Sequence, residues 1–208
     1  MICHIGTGNY HTKTTARYTD LSLMTSDKEI CKCVSNLFEI MMTDSLAPLK
    51  TNDSLLVTQY NCRDRLNAFI RNEGKKGVNG LIVIKCNSID DKMIIKELQK
   101  AADKGCQIIL IVRGLCTIQA SKNITIKSII WDKLEHSRVY AFGSVDPIIY
   151  IGSLDLITNK LDKRIEAMVK IKNPEIVMSL MNYLNRYIMS SDGSWYQDTN
   201  GNYKMIEG

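Results

Sequence analysis

Leu81-Ile82-Val83-Ile84-Lys85, then Asp91 to Asp103 closed by Gly105, then Ile108-Ile109-Leu110-Ile111-Val112-Arg113-Gly114: the fold is read from this stretch. The two short apolar runs have the length of buried strands, and the segment between them has that of a helix with a glycine stop. Upstream, Leu55 to Thr58 reads as a strand and Arg63 to Arg71 as a helix, which extends the alternation and predicts parallel strands joined by crossovers. Downstream the period changes to two. Ile124 to Ile130, His136 to Phe142, Ile148 to Gly152 and Arg164 to Ile171 are expected as successive strands, some of them antiparallel. Pro174 opens a final helix with Ile176, Met178, Leu180, Met181, Leu184 and Ile188 on its apolar side, and Ser190 to Gly208 reads as a polar tail containing Trp195. The expectation is an α/β fold with a mixed, largely parallel sheet flanked by helices.

Ahead of this unit, Met1 to Tyr18 is rich in Gly, Thr and Asn and reads as the end of a strand running into a loop. Ser26-Asp27-Lys28-Glu29 has the form of a capping box, and Ile30, Val34, Leu37, Phe38 and Met41 follow at helical spacing. Pro48 and the polar run Thr51 to Ser54 mark a boundary. Residues 1–52 are expected to be the remnant of a preceding lobe, and 53–208 a complete lobe with a tail from about residue 191.

The chain has 208 residues, 45% hydrophobic and 24% charged, enough for a sizeable core without disulfides. Runs such as Ile108 to Val112 fall far short of a bilayer span, and residues 1–20 lack a signal-peptide core, so a cytoplasmic protein is expected, with peripheral membrane association left open. The net charge of +5 suits an anionic ligand without requiring nucleic acid, and none is expected. The seven cysteines are odd in number and sit mostly in apolar stretches, which reads as reduced core residues. Cys31-x-Cys33 lacks metal-ligand spacing, so no structural metal is expected.

The densest polar cluster is Leu134-Glu135-His136-Ser137-Arg138-Val139-Tyr140, followed by Ser153-Leu154-Asp155 and Asp162-Lys163-Arg164-Ile165-Glu166. Residues two apart on a strand share a face, so His136 with Arg138, and Asp162 with Arg164 and Glu166, are expected to align. An imidazole, two guanidiniums and a carboxylate suit a phosphoryl ligand: arginine forks grip oxygens, and a carboxylate on the far ring nitrogen fixes the histidine. A ladder of cross-strand ion pairs with an incidental histidine is the alternative that spacing leaves open. Lys85 and Arg113 each close a strand of the predicted parallel sheet, where anions gather. Gly6-Thr7-Gly8-Asn9 is a turn that can cradle an anion, a weak signal alone.

Taken together, His4 to Tyr10, Tyr18-Thr19-Asp20, Leu23-Met24-Thr25, Lys85-x-Asn87-Ser88, Ile111 to Cys116, Asn123-Ile124, Leu134 to Tyr140, Ser153-x-Asp155, Leu161-Asp162, Arg164-x-Glu166, Trp195 and Gly201-Asn202-Tyr203 occur in one order. On these motifs the chain resembles the C-terminal part of bacterial polyphosphate kinase, whose two C-terminal lobes have phospholipase-D-like folds. The resemblance implies reversible transfer of the terminal phosphate of ATP to inorganic polyphosphate through a phosphohistidine, with magnesium whose ligands lie outside this chain. It also implies association with N-terminal lobes of the same enzyme and a homo-oligomer. Tyr18, Arg113 and His136 fall on nucleotide-contacting positions. His136, Arg138 and Glu166 are the catalytic candidates, with Glu166 as orienter of the imidazole. Lys85, Asn87, Ser153, Asp155 and Arg164 are the phosphate-binding candidates.

The family's phosphorylated histidine belongs to a His-x-Lys strand upstream of the glycine turn. His11-Thr12-Lys13 imitates it but follows the turn, and His4 has no lysine two residues on, so this chain is expected to be inactive alone. Two departures stand out: Arg17 lies directly beside Tyr18, and Asn159 comes one position early after Asp155. Two other readings remain: a non-catalytic anion-binding module, and a homodimeric phospholipase-D-type phosphodiesterase. Cys31 and Phe38 are expected at the face left by the missing lobe.

Overall fold

The computed structural model describes residues 1–43, 49 and 52–205; Pro48 and Thr51 of the expected boundary lie outside them. The amino-terminal unit holds β1 (Cys3–Gly6), α1 (Thr12–Thr15), β2 (Tyr18–Thr19), β3 (Ser22–Thr25) and α2 (Lys28–Thr43). Then come β4 (Leu55–Val57), α3 (Cys62–Lys75), β5 (Leu81–Cys86), α4 (Lys92–Asp103), β6 (Gln107–Val112), β7 (Ile124–Ile129), β8 (Leu134–Glu135) and β9 (Val139–Phe142). The chain continues with β10 (Ile148–Gly152), α5 (Thr158–Lys163), β11 (Ala167–Ile171), α6 (Pro174–Met189), β12 (Ser194–Gln197) and β13 (Tyr203–Met205).

Nine strands form one mixed sheet in the order β13-β12-β7-β6-β5-β9-β10-β11-β4. Parallel pairing is confined to β5, β6 and β7, and the other six pairings are antiparallel. The parallel share is therefore smaller than the alternation suggested. β4 lies at the far edge of the sheet, paired antiparallel with β11 and separated from β5 by three strands.

Both faces of the sheet are covered, which is why its strands read as unbroken apolar runs. Ile82 and Ile84 of β5 face α3 and α4, packing with Leu66, Ile70, Ile94 and Leu98. Val83 faces the other way, into a core built with Ile30 and Leu37 of α2 and Leu180, Leu184 and Tyr187 of α6. Asp91 caps α4 by accepting from the Ile94 amide at 3.0 Å, and Asn173 caps α6 ahead of Pro174. Gly105 ends the α4 turn at φ +97°, a conformation that favours glycine.

Four expectations are corrected here. The cap of α2 is Asp27, whose carboxylate accepts from the amides of Glu29 and Ile30, rather than Ser26. The strand expected over 136–142 begins only at Val139, because His136-Ser137-Arg138 exchanges most of its main-chain bonds for side-chain ones. The strand expected from Arg164 begins at Ala167, since Asp162 lies in α5 and Arg164 caps it. The polar tail is a hairpin in which Trp195 pairs with Ser128 of β7, extending the main sheet. Phe38 is 58% exposed on α2, while Cys31 is buried with its thiol turned to the Met1 and Thr25 carbonyls. Among the described residues no helix is long and apolar enough to cross a membrane.

Candidate functional site

β9 runs antiparallel to β5 with Val139 opposite Lys85, so the residues just before β9 land beside those just after β5. β10 ends opposite Val139, which brings Ser153, Leu154 and Asp155 to the same place. β6 closes the group with Arg113. The site therefore lies where the parallel strands end and the antiparallel ones begin, the crevice in which ligands gather in such sheets.

Two of the candidate cations are turned inward. Lys85 shares a face with Val83, so its ammonium lies beneath α6, donating to Ser137 Oγ at 2.8 Å and lying 3.4 Å from Glu135 and 4.8 Å from the Tyr187 ring centre. Burial lowers its pKa to about 8 against the opposing pull of Glu135. Tyr187 donates to Glu135, and Tyr183 is 2.7 Å from Ser137 Oγ, which completes a buried polar layer under the loop. Arg138 is also buried. Its Nε and Nη2 grip Asp155 at 3.2 and 3.0 Å, and Nη1 donates to the carbonyls of Thr7 and His136 at 2.8 and 2.9 Å. Asp155 accepts further from Lys160 Nζ at 2.6 Å and from the Asn87 amide at 2.8 Å. Its pKa falls to about 2 because, although burial pushes it up, Arg138 and Lys160 outweigh that push.

His136 stands on this framework. Nδ1 is 3.0 and 3.1 Å from the two carboxylate oxygens of Asp20. Nη1 of Arg138 lies 3.2 and 3.1 Å from Nδ1 and Nε2. A donor equally far from both nitrogens sits over the ring, since an in-plane position would fall on the carbon between them. Nε2 therefore has no in-plane hydrogen-bond partner among the described residues. The Tyr18 ring lies with its centre 4.7 Å from that of the imidazole. Thr7 donates to Asp20 at 2.6 Å, and its hydroxyl accepts the Leu21 amide at 3.0 Å. Burial raises the Asp20 pKa, but hydrogen bonds from His136 and Thr7 leave it below the ordinary carboxylate value.

Arg113 differs from Arg138. Its Nε donates to Asn87 Oδ1 at 2.7 Å and to the Glu135 carbonyl at 3.1 Å, while neither terminal nitrogen has a hydrogen-bond partner among the described residues. Burial and the nearby Arg138 lower its pKa. Asn87 joins Arg113 to the carbonyl of His136, 3.4 Å from its Nδ2.

The structure thus brings Tyr18, Lys85, Asn87, Arg113, His136, Arg138 and Asp155 together. It does not join Glu166 to His136: Glu166 accepts from Ser153, and Asp20 takes the place expected for it, because the segment before β11 leaves the sheet end. Arg164 is exposed on the rim and its carbonyl accepts from Thr58. Arg17 offers its carbonyl to Leu134, and Asn159 lies in α5. His11 caps the short α1 by accepting from the Lys13 amide, and His4 lies against Tyr10. Asp20 and Thr7 were missed as site residues, although both stand inside the motifs that carry the resemblance. Among the described residues no three His, Cys, Asp or Glu side chains form a group that could hold a metal ion.

Residues 55–208 match the family model described as polyphosphate kinase C-terminal domain 2, and residues 1–47 match C-terminal domain 1. The polyphosphate kinase of Staphylococcus epidermidis is 36% identical over 98% of this chain and 29% of its own length. That of Synechocystis is 38% identical over 96% and 28%. The crystal structure of polyphosphate kinase from Porphyromonas gingivalis superposes on all of this chain and 33% of that one with a TM-score of 0.92 at 28% identity. Nuc from Salmonella typhimurium, a phospholipase D family member, shares the fold over 65% of this chain and 93% of its own at a TM-score of 0.50 and 14% identity. The chain spans less than a third of the curated relatives it matches, and along that span it belongs to the polyphosphate kinase family.

Proposed function

We propose that this chain forms the nucleotide- and phosphate-gripping part of a polyphosphate kinase, a transferase moving the terminal phosphate of ATP reversibly onto inorganic polyphosphate. The observation that carries this reading is Arg113: pinned at Nε, it presents a fixed fork whose two ends have no hydrogen-bond partner among the described residues, near an imidazole held at Nδ1 by Asp20. Phosphoryl transfer spreads charge over oxygens and is helped most by donors that need no reorganisation. Arg113 supplies such donors. His136, held at Nδ1 by Asp20, offers Nε2 to a phosphate oxygen or to a proton in transit, and Tyr18 closes the side of the ring.

Arg138, Lys85, Asn87 and Asp155 act through position, because their polar atoms are already engaged within the chain. The phosphohistidine that the family resemblance implies does not correspond to His4, His11 or His136, so we infer binding without turnover by these 208 residues. Magnesium finds no ligand cluster among the described residues, since Asp20 and Asp155 are turned to partners of the chain's own.

Calorimetric titration with magnesium-ATP and with short polyphosphate tests the reading. Binding of both, weakened by Arg113→Ala and His136→Ala, supports it. Binding that neither substitution changes, or no binding at all, refutes it for this chain.

A further inference from the structure

His136-Ser137-Arg138 links β8 to β9, and along an extended link residues two apart share a side. His136 and Arg138 turn to Asp20 and Asp155, while Ser137 turns the other way, to α6. On the first side Arg113, Asn87 and Arg138 hold the carbonyls of Glu135 and His136. On the second the link is held by the Ser137 side chain. Lys85 Nζ donates to its Oγ at 2.8 Å, and the Tyr183 hydroxyl of α6 lies 2.7 Å from it. Tyr187, one helical turn beyond, has its hydroxyl 2.8 Å from that of Tyr183 and donates to Glu135, which lies 3.4 Å from Lys85. The five groups close a ring beneath the link.

Each hydroxyl has a single proton, which settles the direction of the ring. An ammonium only donates, so Ser137 accepts from Lys85 and gives its own proton to Tyr183. Tyr187 gives its proton to the Glu135 carboxylate, so the bond between the two phenols runs from Tyr183 to Tyr187. Every donor is spent within the ring, and no spare one replaces an oxygen that is removed. Fully satisfied buried networks of this kind rigidify what they hold.

We propose that Tyr183 is a positioning residue for His136: from α6 it locks the Ser137 side chain, and through it the imidazole on the opposite side of the same link. This rests on the function proposed above, in which that imidazole meets phosphate. None of the hydrogen bonds of Tyr183 among the described residues goes to the imidazole, so its effect passes through Ser137.

Tyr183→Phe removes the oxygen and keeps the ring. Tyr150→Phe is the control, because that buried phenol donates to the Asp53 carbonyl at 2.6 Å on the other face of the sheet and loses a hydrogen bond without touching the link. The ring nitrogens of the three histidines are followed by magnetic resonance in a chain with isotope-labelled histidine, with His136→Gln identifying the signals of His136. In Tyr183→Phe the Nδ1-protonated share of neutral His136 should fall as the ring loosens from Asp20. Calorimetry should show inorganic tripolyphosphate binding about two- to tenfold more weakly, the reach of one lost neutral hydrogen bond. Tyr150→Phe should change neither. Ser137→Ala, a smaller cut at the same point, should shift the His136 signals in the same direction, and adding Tyr183→Phe to it should shift them no further. His136 signals that Tyr183→Phe and Ser137→Ala leave in place, or tripolyphosphate bound as tightly without the Tyr183 hydroxyl, overturn the positioning role. If the unmutated chain binds no tripolyphosphate, the function proposed above fails, and the His136 signals alone decide for or against Tyr183.

Discussion

Nδ1 of His136 faces the carboxylate of Asp20, 116 residues earlier in the chain, at 3.0 Å. The imidazole is thereby oriented by the amino-terminal unit and carried by the sheet, so the site has two owners within one chain. A carboxylate at Nδ1 holds the proton there and leaves Nε2 as the acceptor. In Asp20→Ala, long-range proton–nitrogen correlation spectra of the neutral ring should show the Nδ1-protonated form giving way to the Nε2-protonated one. An unchanged tautomer would show that Arg138 alone sets the ring.

The two arginines of the site are expected to behave oppositely. Removing Arg138 leaves Asp155 buried with a lost bidentate partner, and Arg138→Met should cost about 3–5 kcal/mol in urea unfolding. Arg113→Met loses two hydrogen bonds at Nε and exposes no buried charge, so about 1–2 kcal/mol is expected, together with loss of anion binding. Equal costs for the two substitutions would contradict the distinction between a framework arginine and a ligand-gripping one.

Asp155 also sets an acid limit. Its folded pKa of about 2 lies below the ordinary 3.8, so the stability it contributes is complete above pH 4 and is lost as the pH falls through that window. The loss should amount to about 2 kcal/mol between pH 4 and pH 2. Asp155→Asn, less stable at neutral pH, should show a flatter stability profile over the same interval in denaturant titrations. A profile parallel to that of the unmutated chain would place the acid sensitivity elsewhere.

Lys127 offers a test remote from the site. Its ammonium is buried at the carboxyl end of α6, donating to Tyr187 at 2.7 Å, Ile188 at 3.1 Å and Ser190, and it lies 4.9 Å from the Tyr196 ring centre. Those carbonyls have no helical partner, and a cation there also meets the negative end of the helix. Lys127→Met should cost about 2–4 kcal/mol and should raise hydrogen exchange at the end of α6 and in the terminal hairpin first. Uniform loss of protection across the sheet would refute a local anchoring role.

The sheet and helices were legible where covering on both faces leaves plain apolar runs, as in β5, β6 and α6. The His136 segment was not, because alternation by twos is also the pattern of an extended link held by side chains, and only the positions of Asn87, Thr19 and Arg138 decide which it is. Lys85 looked like a rim cation for its place at a strand end. That it shares the face of Val83, which a helix covers, was already written in the alternation. The swap of Asp20 for Glu166 could not be read from spacing: the nearer carboxylate in sequence is the farther one in space, and Asp20 gives no local sign of its reach. Trp195 and Tyr203 read as tail residues because two short polar strands separated by Asp198 and Gly201 carry too little periodicity to register.

The far edge of the sheet has a consequence for solubility. A nine-stranded sheet ends in open main-chain donors and acceptors, which invite pairing with another copy. Among the described residues that edge is β13, Tyr203–Met205, with Lys204 paired to Asp198 at 3.2 Å. A lysine at the middle position of that strand makes it a poor template for a tenth strand. The terminal hairpin closes this side of the sheet, so trimming β13 would bare β12 as a new edge with main-chain groups free to pair along its border.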